Sequence, residues 1–214
     1  MTCPGSGDFE YADVIVDAPG TVSAPSAVNE PENAINGVHG DPASGSTDVF
    51  SRGVSTDPAN NYIVLRFSER RIVDGPGADF VVFENAFETR GGNFMDPVIV
   101  AASNDGVTWV DFPHDYVGAD EQSYEADPAM WVGFAGVSPV SYDSDAPECP
   151  DPLAQEQGGD RFDLAEAGLD AARYLRLTTA ASVTNPDSGT VYPKALLSDG
   201  FDLDGIYAAE TAPD

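Results

Sequence analysis

The segment from Pro97 to Phe112 constrains the fold more than any other part of this chain. Two runs rich in β-branched and aromatic residues flank Asn104-Asp105-Gly106. Such side chains favour extended backbone, where they pack on a pleated surface. Asn-Asp-Gly between them predicts a tight β-hairpin, because all three residues tolerate the positive φ that lets a turn twist with its strands. A hairpin of this kind commits its surroundings to antiparallel sheet. The remaining sequence agrees: 21 glycines and 17 prolines are spread along the chain instead of gathered in one linker, which fits many short strands joined by turns.

Strands are expected over residues 12–16, 62–67, 80–83, 97–103, 108–112, 174–178 and 201–208. The second and third are near-continuous apolar runs, as expected in the middle of packed sheets. Asp74-Gly75-Pro76-Gly77 separates them as a turn. Helix is scarce, with single turns expected at residues 31–35, capped by Asn29, and at residues 164–169 after Asp163. Two long segments, 19–56 and 113–159, are irregular, and structureless stretches of that length in a folded domain are usually functional. The reading is an all-β, antiparallel β-sandwich forming one domain of 214 residues. Residues 1–10 and 209–214 are expected as tails and 113–159 as a long inserted loop.

Nine Lys and Arg against 37 Asp and Glu give a net charge of −28, and Lys194 is the only lysine. A field of this sign repels phosphate backbones and anionic lipid, so nucleic acid and bare membrane are poor partners. It suits divalent cations or a salty medium, where repulsion between carboxylates is bridged or screened. The hydrophobic content of 42% is ordinary for a folded domain, so the charge does not signal disorder. No apolar run approaches the ~18 residues that a membrane-spanning helix needs. The first residues lack the apolar stretch of a signal peptide and read as the start of a mature exported domain. Cys3 and Cys149 are the only cysteines. One disulfide between them would stabilise by ~4–5 kcal/mol on chain-entropy grounds. A lipid-carrying Cys3 and two free thiols are the alternatives.

Ser103-Asn-Asp-Gly-Val-Thr-Trp109 followed by Ala172-Arg-Tyr-Leu-Arg-Leu177 resembles the discoidin, or coagulation-factor C-domain, group. The resemblance implies a jelly roll with the galactose-binding-like fold. Asn33-Ala-Ile-Asn-Gly37 then resembles the loop that commonly holds a structural calcium there. A set of bacterial cell-surface proteins and lipoproteins is more similar still. It carries segments like Arg71–Phe87, Gly158-Gly-Asp-Arg-Phe-Asp-Leu164 and Gly200-Phe-Asp-Leu-Asp-Gly-Ile206. That set implies an exported surface module and no particular activity. The insertion at 113–159 departs from the compact discoidin pattern.

In a regular strand Asp202 and Asp204 share a face, and stacked carboxylates repel unless cations or donors bridge them. Calcium, which accepts six to eight oxygens in irregular geometry, suits acids gathered from separate loops. By analogy with the jelly rolls, Asp204 facing Asn36 and Asp41 closes a calcium site. Glu84 and Asn85 follow a buried apolar strand, and Asp160 and Asp163 lie in the Gly-Gly-Asp-Arg-Phe-Asp segment. Each is a calcium ligand or a structural partner: Glu84 pairing with Arg66 or Arg176 or capping backbone amides, Asp163 capping a helical turn. His39 and His114 have no ligand-spaced partner, which speaks against zinc. Trp109 is expected in the core. Trp131, with Tyr124 or Tyr142, is the candidate platform for a sugar, unless Trp131 and Phe134 pin the loop to the sandwich. No nucleophile elbow, zinc-protease motif or phosphate loop occurs. The functional expectation is a calcium-binding surface module for glycan binding or adhesion. The alternatives are a polysaccharide hydrolase or lyase with paired acids, and a surface-layer component with no small ligand.

Overall fold

The computed structural model describes residues 9–19, 30–54, 58–148, 150–198 and 200–214. Cys3, Cys149 and Asn29 lie outside these. The described chain is all-β, with antiparallel strands and only short 3-10 turns beside them. Two five-stranded sheets form its body. Sheet I runs Glu10–Tyr11, Gly200–Ala208, Phe80–Glu84, Asp160–Phe162, and Phe50–Gly53 also pairs with Gly200–Ala208. Sheet II runs Val110–Asp111, Val98–Ser103, Tyr174–Thr179, Tyr62–Arg66, Val14–Asp17. One hydrophobic core lies between them. Phe80, Val82, Phe201, Leu203 and Ile206 of sheet I meet Ile63, Leu65, Val100, Leu175 and Leu177 of sheet II. This face-to-face burial defines a β-sandwich.

Period-two alternation explains which strands read as apolar throughout. Phe80 and Val82 point into the sandwich, while Val81 and Phe83 pack outside it beneath Val140 and Tyr142. The outer face of sheet I is therefore covered by the 113–159 segment. That segment is not structureless. Asp115–Tyr116 pairs with Trp131–Val132, and Tyr116, Trp131, Phe134 and Val137 form a second core with Met95 and Ile99. Isolated bridges fasten it further, Ala135 to Val98 and Val140 to Gly158.

The helical turns form at Pro31–Ile35 and Leu164–Ala167, the latter capped by Asp163, whose Oδ1 accepts from Ala165 N at 2.9 Å. The hairpin exists, with Val110 opposite Ala102 and Asp111 opposite Ala101. Its connection is longer than a tight turn, and only Gly106 adopts positive φ. Asp105 organises it by accepting from the amides of Val107 and Thr108 at 2.8 and 2.7 Å. Those amides hold the Asp105 carboxyl down at about 2. The expected C-terminal tail is instead ordered: Thr211–Pro213 pairs with Arg70–Val73, which also pairs with Ala171–Ala172. Among the described residues no helix is long and apolar enough to cross a membrane.

Candidate functional site

Three groups of acids and one aromatic surface stand out. The first group is built by a β-bulge. Leu203 faces Glu84 and Gly205 faces Phe83, which leaves Asp204 as an extra residue in its strand. A bulge re-aims the side chain it carries. Asp204 is 1% exposed, and its Oδ2 accepts from the backbone N of His39 at 3.1 Å. Its Oδ1 has no hydrogen-bond partner among the described residues. Burial pushes its carboxyl up to about 7; the His39 amide and ring oppose the rise, while Asp48 and Asp143 add to it. The His39 ring sits between those two acids, 3.4 Å from Asp143 Oδ1 and 3.8 Å from Asp48 Oδ2. Asn36 donates to both oxygens of Asp48 at 3.2 Å. Asn36 and Asp204 thus belong to one neighbourhood, joined by His39 and by Asp48 and Asp143, two acids that the sequence did not single out. Asp41 turns away to close its own turn, accepting from Ala43 N and Ser44 Oγ.

The second group surrounds Glu84. Its carboxylate is buried, with Oε1 accepting from Asp202 N at 2.8 Å and Oε2 without a hydrogen-bond partner among the described residues. Burial, then the charges of Asp96, Asp202 and Asp160, raise its pKa well above the usual carboxylate range. Asp160 is buried too, its Oδ2 accepting from Val137 N and Ser138 N, and burial pushes its carboxyl up to about 6. The expected arginine partners of Glu84 are elsewhere. Arg66 donates to Phe67 O, and Arg176 reaches Asp111 at 3.5 Å. Asn85 is structural: it accepts from Ser46 N and donates to Ser46 O, replacing a missing strand partner. The bulge also parts the two acids expected to act together, since Asp202 acts on Glu84 while Asp204 meets His39.

The third group is Asp74, Asp79 and Asp163. Among the described residues it alone brings three acidic ligand atoms within 4.8 Å of one another. Asp79 is already held by two amides, Gly75 N at 2.8 Å and Leu164 N at 2.7 Å, and Asp163 caps its own turn. The cluster thereby ties the Asp74–Asp79 turn to the 3-10 turn after Asp163.

Of the two places expected for Trp131 the structure shows the second, an anchor that pins the loop with Phe134, while Trp109 departs from its expected place. Trp131 is 1% exposed, with its Nε1 donating to Glu125 O at 2.9 Å and its ring packed on Tyr116 and Phe134. Tyr124 packs beside it and donates to Met95 O at 3.2 Å. Tyr142 lies in another cluster, stacked on Phe83 at 5.1 Å. The three residues expected to hold a sugar are thus occupied in packing and share no surface. Trp109, expected in the core, is only half-buried and lies on the outer face of sheet II.

There a groove of about 210 Å³ is lined by Asp17, Tyr62, Trp109, Tyr174 and Arg176. Strand register explains it. Asp111, Ala101, Arg176, Val64 and Asp17 face one another directly across five strands. The Arg176 guanidinium lies 4.7 Å from the centre of the Trp109 ring, and Tyr62 OH donates to Asp17 Oδ2 at 2.8 Å. No protein-family model matches this chain, and no curated protein matches it.

Proposed function

We propose that this chain is an exported, calcium-binding recognition module of a cell surface, and that it takes a neutral glycan on the outer face of sheet II. The observation that carries the reading is the Trp109 groove. Sugars are bound by flat aromatic faces ringed with polar groups that read hydroxyls. Trp109, Tyr62 and Tyr174 supply the faces. Arg176, which also reaches Asp111 at 3.5 Å, supplies donors, and Asp17 supplies acceptors. The net charge of −28 disfavours acidic polysaccharides and leaves neutral ones. The likeness of several segments to bacterial surface proteins and to discoidin-type jelly rolls supports the same reading.

Calcium enters through Asp204. A buried carboxylate oxygen with no hydrogen-bond partner among the described residues, in the field of Asp48 and Asp143, suits a hard cation. Its role is to hold the loop around His39 against the bulged strand. Trp109→Ala tested on an array of neutral glycans should lose roughly tenfold or more in affinity, about 1.4 kcal/mol, with an unchanged fold by circular dichroism. Full binding by that variant would overturn the glycan site. For calcium, chelation should lower the melting temperature of the wild type by more than that of Asp204→Asn; equal shifts would overturn the Asp204 site.

A further inference from the structure

The scarce cations of this chain are not spread evenly. Nine Lys and Arg stand against 37 Asp and Glu, yet Arg71 and Arg173 line a single pocket of about 450 Å³. Three segments build it. Arg71 lies in the strand Arg70–Val73, opposite Ala212 of Thr211–Pro213. On the other side of that strand Ala171–Ala172 pairs with it and leads directly into Arg173. The hairpin loop closes against them, Asn104 Nδ2 donating to Ala171 O at 2.9 Å. Alternation sends Ile72 into the core and leaves Arg71 exposed. Among the described residues Arg71 makes no ion pair.

Arg173 already holds a carboxylate. Its Nη2 lies 2.8 Å from Asp214 Oδ2. That contact fills only half of the guanidinium fork, because Nε is shielded from solvent and has no hydrogen-bond partner among the described residues. A guanidinium binds a carboxylate best through two parallel N–H groups. Asp214, held by its backbone N on Glu69 O at 3.1 Å, meets one of them. We propose that the pocket binds a small organic acid with one carboxylate and several hydroxyls, of the sugar-acid class. Its carboxylate takes the place of Asp214 on Arg173 and is shared with Arg71, while its hydroxyls donate to Asp170. With Asp214 moved aside, two guanidiniums against Asp170 leave one positive charge, which matches a single carboxylate. The net charge of −28 repels acids of higher charge. The volume falls within the range of small-molecule sites. Asn104 lines this pocket and Gly106 the Trp109 groove, and the two share no lining residue, so the inference does not depend on the glycan reading.

Sodium glucuronate is the probe, with glucose as its neutral counterpart and inorganic phosphate as a different anion, all at one ionic strength set with sodium chloride. The arginine Nε–H resonances of the isotope-labelled full chain provide the readout, the Arg173 signal being the one that Arg173→Lys removes. Glucuronate should shift that signal saturably, and glucose should not. Arg173→Gln should weaken glucuronate binding roughly tenfold or more by calorimetry, as for a lost charge-assisted pair. Arg71→Gln, at an exposed position, keeps the Arg173 reporter and should weaken binding too should Arg173→Gln fail to fold. Asp214→Asn retains the backbone bond to Glu69 and should tighten binding by up to about fivefold, the range of an exposed ion pair. Absence of a saturable shift in both the wild type and Asp214→Asn would overturn the site, as would an equal response to glucose. Unchanged affinity in both arginine variants would overturn it as well. Phosphate binding as tightly as glucuronate would overturn the sugar-acid assignment, and an affinity unaltered by Asp214→Asn would overturn the displacement.

Discussion

Trp131 and Trp109 lie in sequence surroundings that each pair an aromatic ring with polar neighbours, yet one is sealed and the other is on show. Trp131 serves an insertion that must build its own small core, and its indole N–H is satisfied by Glu125 O. Trp109 follows a hairpin whose loop is shaped by Asp105, and it comes to rest on the outer face of sheet II under Arg176. The same contrast separates the faces of the sandwich. The insertion covers sheet I through Val140 and Tyr142 and reaches Ile99 of sheet II, while the groove at Trp109 on sheet II stays open. A ring's exposure is thus set by whether a covering segment folds over it, not by the polarity of its neighbours in the chain.

The contrast can be broken by measurement. Trp131→Ala should cost about 3–5 kcal/mol in urea unfolding, as for other buried aromatic truncations, against less than about 1 kcal/mol for Trp109→Ala. Equal costs would refute the assignment of core and surface. Gly136→Ala, at φ +77° and with a Cβ that would come within 2.5 Å of Asp96 O and 3.2 Å of Glu84 Cγ, should cost more than ~1 kcal/mol. A neutral Gly136→Ala would mean that the insertion does not rest on the Glu84 centre.

The acids give a pH signature. Asp160, Asp204 and Glu84 have raised pKa values in the folded state, so the fold binds their protons more tightly than the unfolded chain does. Their stabilising effect is full below the ordinary carboxylate pKa and is lost as pH rises through about 6 for Asp160 and about 7 for Asp204. In chelator the melting temperature should therefore fall across that window, and added calcium should flatten the fall. A flat profile in chelator would remove the case for buried, uncompensated carboxylates. The smallest effect is expected on the sheet II side. Asp105→Ala should lower the melting temperature slightly at neutral pH, a difference that shrinks as the wild-type carboxyl protonates towards about 2. A large loss would mean that the hairpin loop does more than support Trp109.

The central strands were legible because their signal is local: Tyr62–Arg66, Phe80–Glu84 and Val98–Ser103 are apolar runs bounded by turns. Phe50–Gly53 and Asp160–Phe162 were not, since Ser51, Arg52, Asp160 and Arg161 read as polar loop and become strand only where other segments cover them. Glu84, Asp160 and Asp202 stood out in the sequence; in the structure Glu84 Oε1 accepts from the backbone N of Asp202, and the charge of Asp160 bears on Glu84. Asp96, Asp48 and Asp143 were missed because only long-range packing brings them in. The bulge at Asp204 depends on two strands at once, so no reading of one strand reveals it. Trp109 was misplaced, and Trp131 was left between platform and loop anchor, because composition shows that a loop is rich in aromatics, not whether it folds back on itself.

The strand pairing of sheet II also bears on how copies of this protein behave when crowded. Among the described residues one edge is the two-residue strand Val110–Asp111; the other, Val14–Asp17, is bulged between Ile15 and Asp17. Both end in an aspartate. Short, kinked, negatively charged edges deny a neighbouring molecule the template it needs to extend a sheet. With a net charge of −28 behind them, closely spaced copies repel at the very borders where β-sandwiches otherwise aggregate.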